Sequence, residues 1–213
     1  MPGHVFRAMS TPAPHESGRA SVLERFRESM VMNHERWHDG TGYDLQLLAE
    51  ALPAERADIE SLLVSRGVQD WRDAEALAAL GSGGAHAALL RAFEKGDDEL
   101  RLALISHAAE VFSEEQRADV LAKALREPGP GLTQAMLLAE EWHPQPVIEA
   151  LMHGVRTHEG VTAGEFAMLL LFLHGQADSV YDMSQRGFIL RFQDEDREML
   201  CRELFARIGR QSP

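Results

Sequence analysis

The amino-acid sequence predicts an all-α protein in which short helices are paired and stacked. Apolar residues recur at helical spacing along most of the 213 residues, and only the run 188–192 is a plausible strand, with a helical turn as the alternative. Segments begin near Asp70, Asp97, Pro130 and Val161, so the unit repeats at roughly thirty residues, close to the period of helix-pair repeats. Helix pairs that repeat in this way stack into a curved solenoid whose surfaces hold partners.

The N-terminal part is expected to hold three helices and one loop. Residues 22–32 carry apolar side chains at helical spacing. Residues 33–43 contain two glycines and no periodicity, so the sequence predicts a loop there. Asp44 is a capping residue for a short helix over 45–51, and Pro53 occupies the favoured first position of the helix that follows.

Capping residues mark the helices in the middle of the chain. Asp70 predicts the start of a helix, and the glycine-rich run 81–84 predicts its end. Asp97 predicts a later start, and Ser113 with Gln116 fits a capping box, in which each side chain satisfies an unpaired backbone amide. The predicted helices of this region span residues 70–80, 85–93, 97–111 and 114–125.

The last part of the chain has weaker helix signals. Thr162 and Glu165 form a second candidate capping box. The segment 181–192 lacks a clear pattern and is expected to seal the end of the stack, with a recognition loop as the alternative. Met199 and Cys201 lie on the apolar side of the last helix, where Cys201 is expected to be buried. The predicted helices of this region span residues 132–141, 147–151, 166–173 and 195–208.

The composition excludes several classes of partner. The chain has 34 acidic and 21 basic residues and a formal net charge of −13. This charge repels nucleic-acid phosphates and favours a basic protein as partner, although solubility alone also accounts for it. No apolar run approaches the roughly 20 residues that a membrane span requires. The single cysteine excludes an internal disulfide, so we expect a cytoplasmic protein that binds neither nucleic acid nor membranes.

The chain is expected to fold as one domain after a short leader. Residues 1–20 are rich in proline, glycine and serine and lack the apolar block of a secretory signal, which predicts a flexible leader. Residues 21–213 are expected to form a single domain, with the clearest repeats at 70–126, looser repeats at 132–174 and a C-terminal cap at 175–213.

The clearest repeat unit, at residues 85–104, has an aspartate at the turn between its helices, then an apolar residue, an arginine and an alanine. These positions are held by Asp97, Leu100, Arg101 and either Ala103 or Leu104. The pattern resembles the short bacterial HEAT repeat, over 70–126 fairly well and over 132–174 loosely. The resemblance implies a right-handed α-solenoid of HEAT-like helical hairpins with capping segments at both ends. HEAT-like proteins include scaffolds, inhibitors, lyases and DNA glycosylases, so the resemblance implies no single activity.

The densest cluster of functional side chains lies in and beside the predicted loop at 33–43. Its members are His34, Trp37, His38, Asp39, Tyr43 and Asp44. Two histidines four residues apart with a neighbouring carboxylate would bind zinc on one face of a helix, but the glycines at 40 and 42 work against a continuous helix. An established zinc signature such as His-Glu-x-x-His is not expected here. A structural loop with Trp37 and Tyr43 packed on the first helices is favoured. A partner-contact loop is the other alternative, because both residue types are common contact anchors.

Two further groups are candidates for contact with a partner. Trp71 lies in the first turn of its predicted helix, where covering the neighbouring repeat is favoured and partner binding is the alternative. Negative charge at a helix start complements the helix dipole, and several acidic starts would together form one negative edge that steers a basic partner. The acidic runs are Asp97-Asp98-Glu99, Glu114-Glu115 and Asp194-Glu195-Asp196.

These observations favour a non-enzymatic protein-binding module without cofactor or metal. The sharper hypothesis is an immunity or inhibitory protein that occludes a cationic bacterial effector, because the chain is small, acidic and lacks a catalytic signature. The alternative is a lyase or metal-assisted enzyme that uses His34, His38 and Asp39. The expected partner-contact residues are Trp37, His38, Asp39, Tyr43, Trp71, Asp97, Asp98 and Glu99.

Overall fold

The chain folds into helices joined by turns. The computed structural model describes residues 20–127, 129–193 and 196–210. Within these ranges there are thirteen α-helices, three short 3-10 turns and no strand, so the all-α prediction is confirmed. Apart from residue 20, the predicted leader lies outside the described residues.

The chain divides into two compact units, and the division falls inside one helix. Unit 1 ends at Ile59 and unit 2 begins at Glu60. The first four helices are α1 (Val22–Ser29), α2 (His34–His38), α3 (Gln46–Glu50) and α4 (Pro53–Arg66), the last of which contains the boundary. The others are α5 (Trp71–Leu80), α6 (Gly83–Lys95), α7 (Asp98–His107), α8 (Glu114–Arg126), α9 (Leu132–Glu141), α10 (Gln145–Thr157), α11 (Gly160–Leu173), α12 (Arg186–Leu190) and α13 (Arg197–Arg207).

Unit 1 is held by a small aromatic core and by an arginine at a helix end. The ring of Phe26 is fully buried and meets the ring of Tyr43 edge-on, with 5.8 Å between centroids. The guanidinium of Arg36 donates to the carbonyl oxygens of Ser29 at 2.9 Å and Val31 at 3.1 Å. These bonds satisfy the carbonyl of the last residue of α1, which has no partner within the helix, and a carbonyl in the turn that follows.

In unit 2 most neighbouring helices from α5 to α11 contact each other, and contacts also join alternate helices. Helix α5 contacts α6 and α7, α7 contacts α8 and α9, and α11 contacts α9 and α10. Helix α8 also contacts α10. Helices α5, α7, α9 and α11 begin at Trp71, Asp98, Leu132 and Gly160, each within two residues of a predicted start. Fully buried side chains from five of these helices are Leu77, Leu104, Leu121, Leu151 and Phe166.

Helices α5 to α8 begin with side-chain caps, whereas helices α9 to α11 do not. The caps of α5 to α8 are Asp70, Ser82, Asp97 and Ser113. The capping box of Ser113 and Gln116 is confirmed. Helices α9, α10 and α11 begin without a side-chain cap. The capping box predicted at Thr162 and Glu165 is wrong, because α11 begins at Gly160 and both residues lie inside the helix.

Two other local predictions change in the structure. Gly81 ends α5 in the left-handed conformation with φ +63, as predicted, but residues 83–84 lie in the first turn of α6 rather than in the connection. The plausible strand at 188–192 is helical, formed by the end of α12 and the 3-10 turn Arg191–Gln193. A run of this length is too short to distinguish the two by its pattern.

The last helix is α13, and the start predicted for it at residue 195 lies outside the described residues. Cys201 is buried as predicted, and its burial raises the pKa of the thiol. Met199 is 48% exposed, so the prediction that it lies on the apolar side is wrong. In the part of the chain that the structure describes, no helix is long and apolar enough to cross a membrane.

Candidate functional site

In unit 1, residues predicted to form a loop fold as the short helix α2. The side chain of Asn33 accepts a hydrogen bond from the amide of Arg36 at 2.8 Å and caps the helix start. The imidazoles of His34 and His38 lie one turn apart, with 6.3 Å between ring centroids and 21° between ring planes. The loop prediction is therefore wrong over His34–His38, because the two glycines act only after the helix has ended.

The five residues of α2 read His-Glu-x-x-His, a spacing found in zinc hydrolases, so the expectation that this signature is absent is wrong. Nδ1 of His38 lies 3.3 Å from Oδ1 of Asp39, a contact of the kind that orients metal-binding histidines. Among the described residues, no group of three or more His, Cys, Asp or Glu side chains is placed to hold a metal ion. The histidine pair alone would supply two of the three ligands that a catalytic zinc site takes from the protein.

The two aromatic residues predicted beside this pair have opposite environments. Trp37 is 66% exposed, so the prediction that it packs on the first helices is wrong. Tyr43 is buried against Phe26 and belongs to the core of unit 1, which removes it from the expected contact surface. Trp37, His38 and Asp39 therefore remain the exposed members of the predicted contact group in unit 1.

The acidic residues at the start of α7 interact mainly with their own neighbours. The carboxylate of Asp97 accepts the amide of Leu100 at 2.9 Å and caps the helix. Asp98 lies 2.8 Å from the ammonium of Lys123. The hydrogen bond from Lys123 lowers the pKa of Asp98, and the same bond raises the pKa of Lys123. Glu99 is exposed and lies in the first turn of α7, where its negative charge complements the helix dipole.

Arg101 bonds the end of the preceding helix. Its Nε donates to the carbonyl of Phe93 at 2.9 Å, and its Nη2 donates to the carbonyl of Glu94 at 3.2 Å. Both carbonyls belong to the last turns of α6, so an arginine of one helix caps the end of the helix before it. Arg36 does the same for α1 in unit 1, where the sequence shows no repeat.

The single negative edge expected from the acidic runs is not formed. Lys123 lies in the last turn of α8 and pairs with Asp98, so the start of α7 lies beside the end of α8. The acidic pair at 114–115 begins α8, and a helix of this length places it roughly 13 Å away along the axis. The two acidic runs therefore lie at opposite ends of the hairpin. Residues 194–195 of the third run lie outside the described residues.

Trp71 packs within unit 2 as the favoured interpretation predicts. Its ring stacks on His107 of α7, with 5.2 Å between centroids and 26° between planes. The guanidinium of Arg72 lies over the same ring at 4.6 Å. Burial lowers the pKa of His107, opposed in part by the negative charge of Glu75.

A candidate binding site lies between α9, α11 and residues 180–193 of unit 2. It is an open groove with a volume of about 430 Å³. Exposed apolar side chains line it, and the most exposed are Leu137 at 53%, Val161 at 62%, Tyr181 at 82% and Leu190 at 46%. Contiguous exposed apolar surface on a folded protein marks an interaction site far more often than isolated apolar residues do.

The charged side chains that line this groove are carboxylates. Glu140 at the end of α9 and Glu165 on α11 both line it. Among the described residues that line it, none is lysine, arginine or histidine. An apolar floor with carboxylates and no cation favours an apolar ligand that carries positive charge.

The amino-acid sequence of α9 explains the exposed wall. Ala135 and Ala139 are fully buried one turn apart, so small side chains occupy the inner face of the helix. Leu137 lies between them in sequence and therefore projects from the opposite side, where it is exposed. This groove could have been predicted from the sequence of α9, because alanines lie on one face of the helix and larger apolar residues lie on the other.

The wall opposite α9 depends on a close approach to α11. A Cβ atom on Gly164 would lie 3.1 Å from Cγ2 of Ile189, so the glycine lets α12 pack tightly on α11. Phe188 and Phe192 are buried with their rings edge-to-face at 5.5 Å, in agreement with the predicted seal. Leu190 lies between them in sequence and lines the groove, so one segment covers the core and also forms a surface.

No family model, no curated protein and no solved structure matches this chain. Its function is therefore inferred from the residues of its own sites.

Proposed function

We propose that this protein is a non-enzymatic binding module that receives a cationic segment of another protein in the groove of α9, α11 and residues 180–193. The observation that carries the proposal is the convergence of four exposed apolar side chains with two carboxylates and no cation on one groove of about 430 Å³. Burial of these side chains by a partner would provide the affinity. The carboxylates would favour a basic partner and raise its association rate.

The architecture that we propose for α5 to α11 is a right-handed HEAT-like solenoid. Its support is the recurrence of helix starts at Trp71, Asp98, Leu132 and Gly160, together with the contacts between alternate helices. The Asp97 cap and the Arg101 bonds to the preceding helix occupy the positions at which the sequence resembles the repeat. A solenoid presents continuous helix-lined surfaces, which suits a binding module.

The sharper form of the proposal is an immunity or inhibitory protein. Such a protein needs only to cover the working surface of a cationic effector, and its own chemistry is not required. The net charge of −13 and the acidic groove fit a partner of this kind. Added salt should then weaken binding through a lower association rate, and expression of this protein should relieve the toxicity of the effector that it binds.

Affinity purification from native cell extract, followed by mass spectrometry, tests the groove. Leu137→Asp and Val161→Asp place a charge on its apolar wall without disturbing buried residues. Leu90→Asp is the matched control, because Leu90 is also an exposed helical leucine, at 41%, and lies on α6 outside the groove. We expect identified basic proteins to be retained by the wild type and the control but not by the groove variants. Retention of the same proteins by all four would overturn the proposal.

A second candidate function, a metal-assisted enzyme, is favoured by one observation, the His-Glu-x-x-His spacing of α2 with both rings on one face. Metal analysis of the purified protein and of His34→Ala and His38→Ala tests it directly. Stoichiometric zinc that both substitutions remove would support this function. Protein that contains no histidine-dependent metal after purification in zinc-containing buffer would eliminate it.

A further inference from the structure

The groove also indicates which kind of segment it receives. We infer that its occupant is an amphipathic α-helix with aliphatic residues on one face and lysine or arginine on both flanks of that face. This inference rests on the proposed function. It specifies that the cationic segment that binds in the groove is helical.

The first argument comes from the backbone of the occupant. The groove is lined mainly by aliphatic side chains, among them Met136, Leu137 and Val161, and the described residues contain no strand edge. An extended segment in such a groove would bury amide and carbonyl groups without partners, at a cost of about 1–3 kcal/mol for each group. A helix pairs these groups internally and buries only its side chains.

The second argument comes from the shape of the walls. Helix α9 has ten residues and is therefore roughly 15 Å long, which matches about three turns of a helix lying alongside it. Three turns present apolar anchors at positions i, i+3 or i+4, and i+7. Leu137 projects from the middle of α9 and Val161 from the first turn of α11, so both walls offer ridges between which such anchors fit.

The third argument comes from the placement of charge. Glu140 lies on α9 and Glu165 lies on α11, so each helical wall contributes one carboxylate. A helix in the groove would therefore meet a carboxylate on either flank of its apolar face. Basic residues at both flanks would pair with them, whereas an acidic or phosphorylated segment would be repelled.

Binding of designed peptides to the intact chain tests the occupant. The probe is a fluorescent peptide of about 18 leucine and lysine residues with helical periodicity, long enough to form four to five turns. Its control has the same composition with leucine and lysine alternating, which favours a strand. We expect the helical peptide to bind at least about tenfold more tightly. We expect Leu137→Asp to weaken it by about tenfold or more, while Leu90→Asp leaves it unchanged.

Two double variants test the role of the carboxylates that flank the groove. Glu140→Gln combined with Glu165→Gln should weaken the helical peptide and reduce the dependence of its binding on salt. Glu114→Gln combined with Glu115→Gln removes the same charge from the start of α8, outside the groove, and should change neither quantity.

Failure of this inference is distinguishable from failure of the proposed function. Equal or tighter binding of the alternating peptide overturns the helical occupant, and so does helical-peptide binding that Leu137→Asp leaves unchanged. In either case, basic proteins from extract that the groove variants fail to retain would still support the proposed function. Retention of the same basic proteins by the wild type, the control and both groove variants would overturn the proposed function itself.

Discussion

Helices α5 to α8 and helices α9 to α11 are stabilised by different interactions. The first group begins with side-chain caps, and Arg101 adds bonds to the end of the preceding helix. The second group has no side-chain cap; in it α10 and α11 bury seven and eight residues and α9 buries two, whereas in the first group α5 buries six, α8 four, and α6 and α7 three each. Polar caps define helix ends locally, whereas α10 and α11 depend mainly on apolar packing.

The groove lies beside the second group. Exposed apolar side chains of α9, of α11 and of residues 180–193 line it. In the capped region the exposed positions carry ion pairs instead, such as Asp98 with Lys123. The part of unit 2 with the weaker repeat signature is therefore the part with the stronger candidate for binding.

The largest effect should come from the ring that connects the uncapped helices. Phe166 of α11 is fully buried and meets His158 edge-on at 5.2 Å, and Nε2 of His158 lies 3.2 Å from the carbonyl of Leu125 in α8. We expect Phe166→Ala to lower the free energy of unfolding by about 3–5 kcal/mol in urea titrations. Leu90→Ala, at an exposed site, should change it by less than about 1 kcal/mol. A small loss for Phe166→Ala would contradict the packing account.

A second test adds a single methyl group at the same contact. A Cβ atom on Gly154 of α10 would overlap the buried ring of Phe166, which has no room to move. We expect Gly154→Ala to lower the free energy of unfolding by about 1–3 kcal/mol, despite the better helix propensity of alanine. Gly187→Ala in α12 is the control, because nothing lies within 4 Å of its added Cβ atom. That variant should be neutral or slightly stabilising, and a similar loss in both variants would argue against a specific clash.

The two capping boxes that the sequence suggested provide a matched pair. Ser113 caps α8, so Ser113→Ala should lower the free energy of unfolding by about 1 kcal/mol. Thr162 lies inside α11, where alanine is the better helix former, so Thr162→Ala should be neutral or stabilising by about 0.5 kcal/mol. Urea titration of both variants measures the difference. Equal losses would mean that Thr162 acts as a cap after all.

The smallest expected effect depends on pH and lies in the capped region. Burial lowers the pKa of His107 from its ordinary value of 6.5, so the unfolded chain binds a proton more readily than the folded one. The contribution of His107 to stability is therefore fully present above pH 6.5 and is lost as the pH falls through the lower folded-state pKa. The unfolding midpoint of the wild type should fall between neutral and mildly acidic pH. This fall should be smaller for His107→Gln. Identical pH profiles would contradict this assignment.

The helices were largely predictable because their signals are local. Asp70, Asp97 and Ser113 cap helices where the sequence placed caps, since each bonds an amide two or three residues ahead. The groove was not predictable in the same way, because Leu137 and Val161 are far apart in sequence and their exposure depends on what packs beside them. The α2 helix was missed for another reason, since the Asn33 cap and the glycines that follow are competing local signals.

By itself, the sequence determined the helical class of the chain, the starts of the capped helices and the burial of Cys201, because helical periodicity and caps act within a few residues. Only the tertiary structure decided which charges are paired and which apolar side chains stay exposed. Asp98 is paired because the end of α8 lies beside the start of α7, and Leu137 is exposed because alanines fill the inner face of α9. These outcomes depend on contacts between helices, which the pattern within one helix does not contain.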